Sequence, residues 1–372
     1  MRILSLSNCP LDDRLGSGYV VRRSAEGMRR AGHEVELHGP ADYEPLHTVA
    51  PGRGVTYRQV AGMAAKALAR ARASFDVVEL WGGQGWLAAS LLSRVPGRQF
   101  LLVCRSNGLE PHFEEAMREA EAAGAVPTWR PWYHVSQSRL FTRALRRVDG
   151  VITVSSWDRD WAVARGLGPA GRVLAVENPL PDSYLGLDPD FDREPVLGYC
   201  GSWLPIKGVD LLAAALPAIL REFPDWRLRI VGVGTGFRAA EHFPADLLGR
   251  IDVVPEADRE TGLREIYGTF AIALLPSVYE SFGLAAAEAM ACGAALVATR
   301  VGFAAGLRHG EEAWLLPERS PSALQAALRE LMRDRECRRA LARGGHRRVQ
   351  SLRWDRAVEA VEAAYGEWRA AA

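Results

Sequence analysis

The stretch from Phe270 to Arg300, "FAIALLPSVYESFGLAAAEAMACGAALVATR", holds two short apolar runs joined by a turn and a helical segment. The first run ends at Leu275-Pro276, a loop carries Ser277 to Ser281, and a helix begins near Gly283. The second run, "ALVATRV", follows at 295–301. Apolar runs without polar alternation suit strands covered on both faces of a parallel sheet, and the helix between them supplies the crossover. The spacing of two glutamates inside the turn and helix, Glu280 and Glu288, raises the question of what a chain needs them for at the mouth of such a sheet.

The same alternation extends outward in both directions. Strands are expected at 2–7, 34–39, 75–80, 99–105, 150–155 and 172–178. A second series is expected at 195–201, 226–234, 251–256, 270–276 and 295–301. Helical patterns such as "VVRRSAEGMRRAG" (20–32) and "SRLFTRALRRV" (138–148) lie between them. This predicts an α/β fold of two Rossmann-like domains facing one another, each with a parallel sheet. The expected boundaries are 1–180, a linker at 181–195 within a Pro-, Asp- and Gly-rich stretch, 196–350, and a C-terminal amphipathic helix at 351–372.

Composition supports an ordinary globular protein. The 372 residues leave room for two domains, and the net charge of +1 gives no basic face for nucleic acid. Five cysteines are widely spaced without a CxxC pair, which suits reduced, structural thiols. The first residues open on a strand rather than a signal pattern, and no apolar run approaches the roughly 20 residues that span a bilayer. The expectation is a cytoplasmic protein. Lys66 and Lys207 are the two lysines of the chain, so a lysine at a strand-to-helix turn stands out.

Ligands of doubly wound sheets bind at the carboxyl ends of the strands, where helix N-termini present free N–H groups. Eight helical positions span roughly 12 Å. Carboxylates that flank one glycosidic bond lie only about 5 to 9.5 Å apart. Glu280 and Glu288 are therefore better placed to grip the two ends of an elongated ligand with negative charge between them, such as a sugar nucleotide. "GSWLPIKG" (201–208) sets Lys207 at the turn after the first strand of this domain, where it can meet phosphate. "VGVGTG" (231–236), with Gly232 and Gly234, forms a second Gly-rich turn after the next strand.

On these residues the chain resembles the retaining glycosyltransferases of family 4, the group 1 glycosyl transferases with the GT-B fold. The match lies in E-x7-E within "PSVYESFGLAAAEAMACGAALVAT", in "GSWLPIKG", "RIVGVGTG" and "GFAAGLRHGEEAWLLP". It is looser in "GSGYVVRRSAEGMRRAGHEVEL" and "RSNGLEPH". The resemblance implies that Glu280 binds hydroxyls of the transferred sugar and Glu288 the nucleotide ribose. Backbone N–H groups of Phe282, Gly283 and Leu284 would hold sugar or phosphate oxygens, and Lys207 would neutralise the leaving diphosphate. It implies retention of configuration, no metal and no cofactor beyond the sugar nucleotide. Two positions depart from the pattern: Ser202 stands where an arginine is common, and Asn107 where a histidine is common.

In the first domain, Gly16 and Gly18 of "GSGYV" would let backbone approach the reacting groups. Trp81 and Trp86 of "WGGQGW" suit either a sugar ring or the core, and Arg105 could stand in for the absent histidine near Asn107. "VPTWRPWYHV" (126–135) reads as a cleft lining or as a packed surface loop. The helix bearing Arg139, Arg143, Arg146 and Arg147 reads as a solvated face or as a contact with anionic lipid. "DPDFD" (188–192) has the spacing of a metal motif but sits in the Pro-rich linker, which favours a turn. The acceptor is open: a sugar, glycan, lipid or small molecule. Rival readings are a sugar-nucleotide epimerase using Glu110 and His112, and a non-catalytic binding subunit. A nicotinamide dehydrogenase is disfavoured because "SLSNCPLDDRLGSG" lacks GxGxxG directly after the strand.

Overall fold

The computed structural model describes residues 1–13, 15–44, 55–71, 74–124, 126, 132–258 and 262–371. The chain divides into two compact units. The first comprises Met1–Glu115, Trp129–Pro179 and Trp354–Ala372, the second Ala116–Thr128 and Leu180–Arg353.

The first unit holds β1 (Arg2–Ser7), β2 (Glu34–His38), β3 (Val77–Trp81), β4 (Leu101–Arg105), β5 (Gly150–Thr153) and β6 (Val173–Ala175). They form one parallel sheet in the order β2-β1-β3-β4-β5-β6. The second unit holds β7 (Val196–Cys200), β8 (Arg227–Val231), β9 (Ile251–Val254), β10 (Ile272–Leu275), β11 (Ala295–Ala298) and β12 (Trp314–Leu315). Its sheet is also parallel, in the order β12-β11-β10-β7-β8-β9. The α/β class and the strand series read from the sequence are those of the structure. Most strands end before the apolar runs that announced them, because the last residues of each run leave the ladder to build the loops. The two-residue β12 carried no pattern from which to read it.

The C-terminal helix Trp354–Ala370 belongs to the first unit. Its apolar face, Val358, Val361, Ala364, Tyr365 and Trp368, packs into a core with Ile3, Met28, Val77, Val103 and Ile152. Periodicity predicts the helix and the face, but gives no clue to the unit it joins. The contact is close at Gly150, where an added Cβ would lie 2.1 Å from the Trp368 ring. Gly150→Ala should therefore cost about 1–3 kcal/mol by overpacking. Urea unfolding measures this, and an unchanged midpoint would contradict this packing of the helix against β5.

Candidate functional site

In the second sheet β7 lies between β8 and β10. The chain leaves β7 towards β8 and β9, then returns to β10 on the other side. This is the topological switch point, where the loops diverge and leave a crevice at the carboxyl edge. The loop after β7 ends in the turn Pro205–Lys207 and Gly208, which has φ +74° and precedes the helix Val209–Glu222. An added Cβ on Gly208 would lie 1.9 Å from the Pro276 carbonyl oxygen, so only glycine lets this loop pass the end of β10. The amide of Val278 donates to the Ile206 carbonyl at 2.8 Å and laces the two loops together.

The lacing brings Lys207 onto Glu280. The Lys207 Nζ donates to both carboxylate oxygens, at 2.7 and 2.9 Å. Ser277 Oγ donates to Glu280 Oε1 at 2.8 Å. Glu280 is only 8% exposed, yet the lysine side chain keeps 31% of its surface. A buried carboxylate is tolerable here because its oxygens are met by a cation and a hydroxyl.

Glu288 lies on the helix Leu284–Ala291, as the sequence suggests. This helix starts at Gly283, with φ +95°, and among the described residues no side chain caps it. Its first-turn N–H groups carry the positive end of the helix dipole. Phe282 is buried against Phe303, with ring centroids 5.1 Å apart, so it offers backbone rather than side chain to a ligand. Glu288 is 3% exposed, and its Oε2 accepts from the Tyr267 hydroxyl at 3.0 Å. Burial, with Cys200 and Glu288 adjacent, holds that hydroxyl's pKa well above 10, so it remains a donor. Tyr267 and Ser277 escaped the sequence reading. Ser277 had a local signal, three residues before Glu280; Tyr267 had none.

Gly232 and Gly234 have φ +78° and +80° and lean on the end of β9, their amides donating to Val254 and Pro255 carbonyls at 3.0 and 2.9 Å. Space is open around Gly234, with nothing within 4 Å of an added Cβ. Ser202 is exposed, and its carbonyl accepts from the Tyr199 hydroxyl at 2.7 Å. The "DPDFD" segment is a turn: the Asp192 amide donates to Asp190 Oδ1 at 2.8 Å, and the Asp192 carboxylate pairs with Arg335.

The remaining candidates, apart from Leu284 at the start of the helix Leu284–Ala291, lie in the first unit. Gly16 opens the helix Gly16–Arg30, and a Cβ on Gly18 would meet the Pro10 carbonyl oxygen at 2.3 Å. Trp81 is core, 2% exposed, its indole N–H donating to Ser5 Oγ at 3.0 Å. Arg105 lies beneath the surface, its guanidinium 4.0 Å from the Trp81 ring centroid and donating to Glu79 Oε1 at 3.2 Å. Leu284 and Asn107 are partly exposed, but the Asn107 amide atoms are enclosed without hydrogen-bond partners. Trp86 donates to Gln137 Oε1 at 2.6 Å. His112 pairs with Asp158 at 2.8 Å and is flanked by Trp157 and Trp161. Arg139, Arg143, Arg146 and Arg147 are exposed, whereas Ala144, Leu145 and Val148 join the core of their own unit. Half of the 126–135 stretch (127–131) lies outside the described residues, and 132–135 begin the helix Trp132–Leu145.

Glu110 accepts from the Gly83 amide at 2.6 Å, and burial, with Asp158 and Glu114 nearby, pushes its pKa up to about 7. A raised acid pKa means the folded state holds its proton longer than the unfolded chain. Stability should therefore fall as pH rises from about 4.5 to about 7. Glu110→Gln removes this loss. At about 1.4 kcal/mol per pKa unit, the gain at pH 8 over pH 4.5 should be at most about 3 kcal/mol. Denaturant unfolding at the two pH values checks it, and an equal effect at both would contradict the burial of the charge.

Residues 194–334 match the model of the glycosyl transferases group 1, and residues 16–179 match a glycosyl transferase 4-like domain. Each match falls on one of the two sheets, and the first contains Lys207, Glu280 and Glu288. Residues 194–334 belong to the group 1 glycosyl transferases. One similar protein is the D-inositol 3-phosphate glycosyltransferase of Jonesia denitrificans, 32% identical over 198 residues, which are 50% of this chain and 46% of that one. Another, from Actinosynnema mirum, is 28% identical over 99% of this chain and 97% of its own. The aligned part thus spans about half the length of the first relative and nearly all of the second. Among solved structures, sucrose-phosphate synthase from Thermosynechococcus elongatus superposes with a TM-score of 0.77 over 100% of both chains at 22% identity. Anabaena HepE, solved with UDP-glucose, gives a TM-score of 0.69 over 99% of this chain and 100% of that one at 15% identity. These likenesses establish the GT-B fold of the chain.

Proposed function

We propose that the chain transfers a sugar from a nucleotide-diphosphate donor to an acceptor hydroxyl, with retention at the reacting carbon and without a metal. The observation that carries this reading is the Lys207–Glu280 pair beside the uncapped start of the helix Leu284–Ala291. One cation, one carboxylate and a set of backbone N–H groups meet at a switch point, as a ligand with hydroxyls at one end and a diphosphate beyond them requires. Glu280 takes hydroxyls of the transferred sugar, and Glu288 takes the ribose.

In the reaction the bond from the anomeric carbon to the diphosphate oxygen breaks, and the acceptor oxygen bonds that carbon on the same face. The acceptor proton passes to an oxygen of the departing diphosphate. Lys207 and the helix N-terminus stabilise the charge that grows there. No cofactor is required, since the sugar nucleotide is itself the substrate. Ser202 offers a hydroxyl rather than a second cation, and Asn107 offers hydrogen bonds rather than acid–base chemistry. Ser202 therefore leaves more of the charge stabilisation to Lys207. The acceptor is a sugar, glycan, lipid or small molecule with a free hydroxyl. The enzyme would work in the cytoplasm, touching the inner membrane face through Arg139, Arg143, Arg146 and Arg147. Among the described residues no helix is long and apolar enough to cross a membrane.

Thermal shift with UDP, GDP and ADP and their sugar conjugates, without metal, tests the donor site. A ligand at a hundredfold excess over its Kd adds about 2.7 kcal/mol to the folded state. One base should stabilise the native chain and fail to stabilise Glu288→Ala. Stabilisation by none of them would overturn the reading. Once a donor is found, Lys207→Ala should lower kcat by about a hundredfold, the scale of losing one preorganised charge stabiliser. An unchanged kcat would remove the lysine from the mechanism.

A further inference from the structure

The two carboxylates of the donor site are each held by a different buried hydroxyl. Ser277, 1% exposed, donates to Glu280 Oε1 at 2.8 Å. Tyr267, also 1% exposed, donates to Glu288 Oε2 at 3.0 Å. The two hydroxyls come from separate places in the fold. Tyr267 ends the helix Gly262–Tyr267 before β10, and Ser277 follows β10 after Pro276. Each has its own anchor. The Ser277 carbonyl accepts from Thr299 Oγ1 at 2.6 Å, beyond the end of β11. The Tyr267 ring stands edge-on to Phe270, with centroids 5.7 Å apart, and its hydroxyl neighbours Cys200 at the end of β7.

We propose that Ser277 and Tyr267 are positioning residues that set the sugar end and the nucleotide end of the donor site independently of one another. The proposal rests on the donor-site reading above and deepens it. Lys207 is what makes the Ser277 contact matter. In this structure its ammonium spans both oxygens of Glu280, and the same ammonium must turn towards the diphosphate when a donor is bound. A carboxylate held by lysine alone would lose its orientation at that moment. Ser277 keeps one of its oxygens fixed while the lysine changes partner, so Glu280 stays aimed at the sugar hydroxyls. Tyr267 has no such exchange to survive. Its hydroxyl stays protonated and fixes Glu288 whether or not a sugar is attached to the nucleotide.

The two contacts therefore predict opposite patterns, and near-isosteric changes separate them. Isothermal titration with UDP, GDP and ADP, then with UDP-glucose, GDP-mannose and ADP-glucose, reads each end. Tyr267→Phe should weaken the bare diphosphate and the sugar diphosphate alike, by about tenfold, the scale of one lost hydrogen bond to a charged group. Ser277→Ala should leave the bare diphosphate unchanged and weaken the sugar diphosphate by about tenfold. Turnover should follow the same split, with kcat falling in Ser277→Ala and donor KM rising in Tyr267→Phe. A general loosening of the fold would move both variants in the same way. Equal losses in both variants, or no loss in either, would overturn the proposal while leaving the donor site standing. A native chain that binds none of the six probes would overturn the donor-site reading and this proposal with it.

Discussion

The contact between Lys207 and Glu280 depends on a single topological fact: β7 pairs with β10 rather than only with its neighbour in sequence. The two residues are 73 positions apart, and local structure does nothing to bring them together. Crossovers between parallel strands carry the chain from β7 to β8 and β9, then back across to β10 and β11. That reversal opens the crevice and aligns the two loops. Gly208, passing the Pro276 carbonyl where no side chain fits, and the Val278 to Ile206 hydrogen bond complete the alignment. The site is thus a property of strand order, made exact in distance by one glycine.

Around that contact the second unit solves a problem of buried charge. Two carboxylates, 8% and 3% exposed, would be costly without partners. The fold supplies a cation and a hydroxyl to one and a hydroxyl to the other, each from an anchored element. Gly302 shows the same economy of space. Its φ is +55°, and an added Cβ would meet the Phe282 and Glu280 carbonyls at 2.6 and 2.8 Å. The loop before the helix Leu284–Ala291 is pressed between backbone segments, which limits its freedom before any ligand arrives. Such preorganisation spares the ordering cost at the moment of binding.

The first unit uses buried charge differently. Arg105, read from the sequence as a stand-in for the absent histidine near Asn107, is paired with Glu79 and donates to Ser24 Oγ at 3.0 Å. Ser5 Oγ and the Tyr365 hydroxyl also donate to Glu79, so β1, β3, β4 and the C-terminal helix share one polar cluster. Tyr365 reaches this cluster from 286 positions away in the chain. The C-terminal helix is held by that hydrogen bond as well as by its apolar face.

The sequence by itself determined the strand series, the α/β class, the helix beginning at Gly283 and the prominence of Lys207, Glu280 and Glu288. Each of these is written in local pattern: apolar runs, a glycine at a helix start, a rare lysine at a turn, and a fixed spacing. Strand ends, the short β12, the place of Trp81 and Arg105, and the unit joined by the C-terminal helix were not written there. They are settled by pairings between distant segments, which hydrophobic period does not encode. Tyr267 makes the point most sharply. In sequence it is an aromatic residue before an apolar run, and only the packing of the helix Gly262–Tyr267 beside the helix Leu284–Ala291 turns it into the hydroxyl that holds Glu288. Tertiary structure decided this because a carboxylate withdrawn from water must find its donors wherever the packed chain happens to bring them.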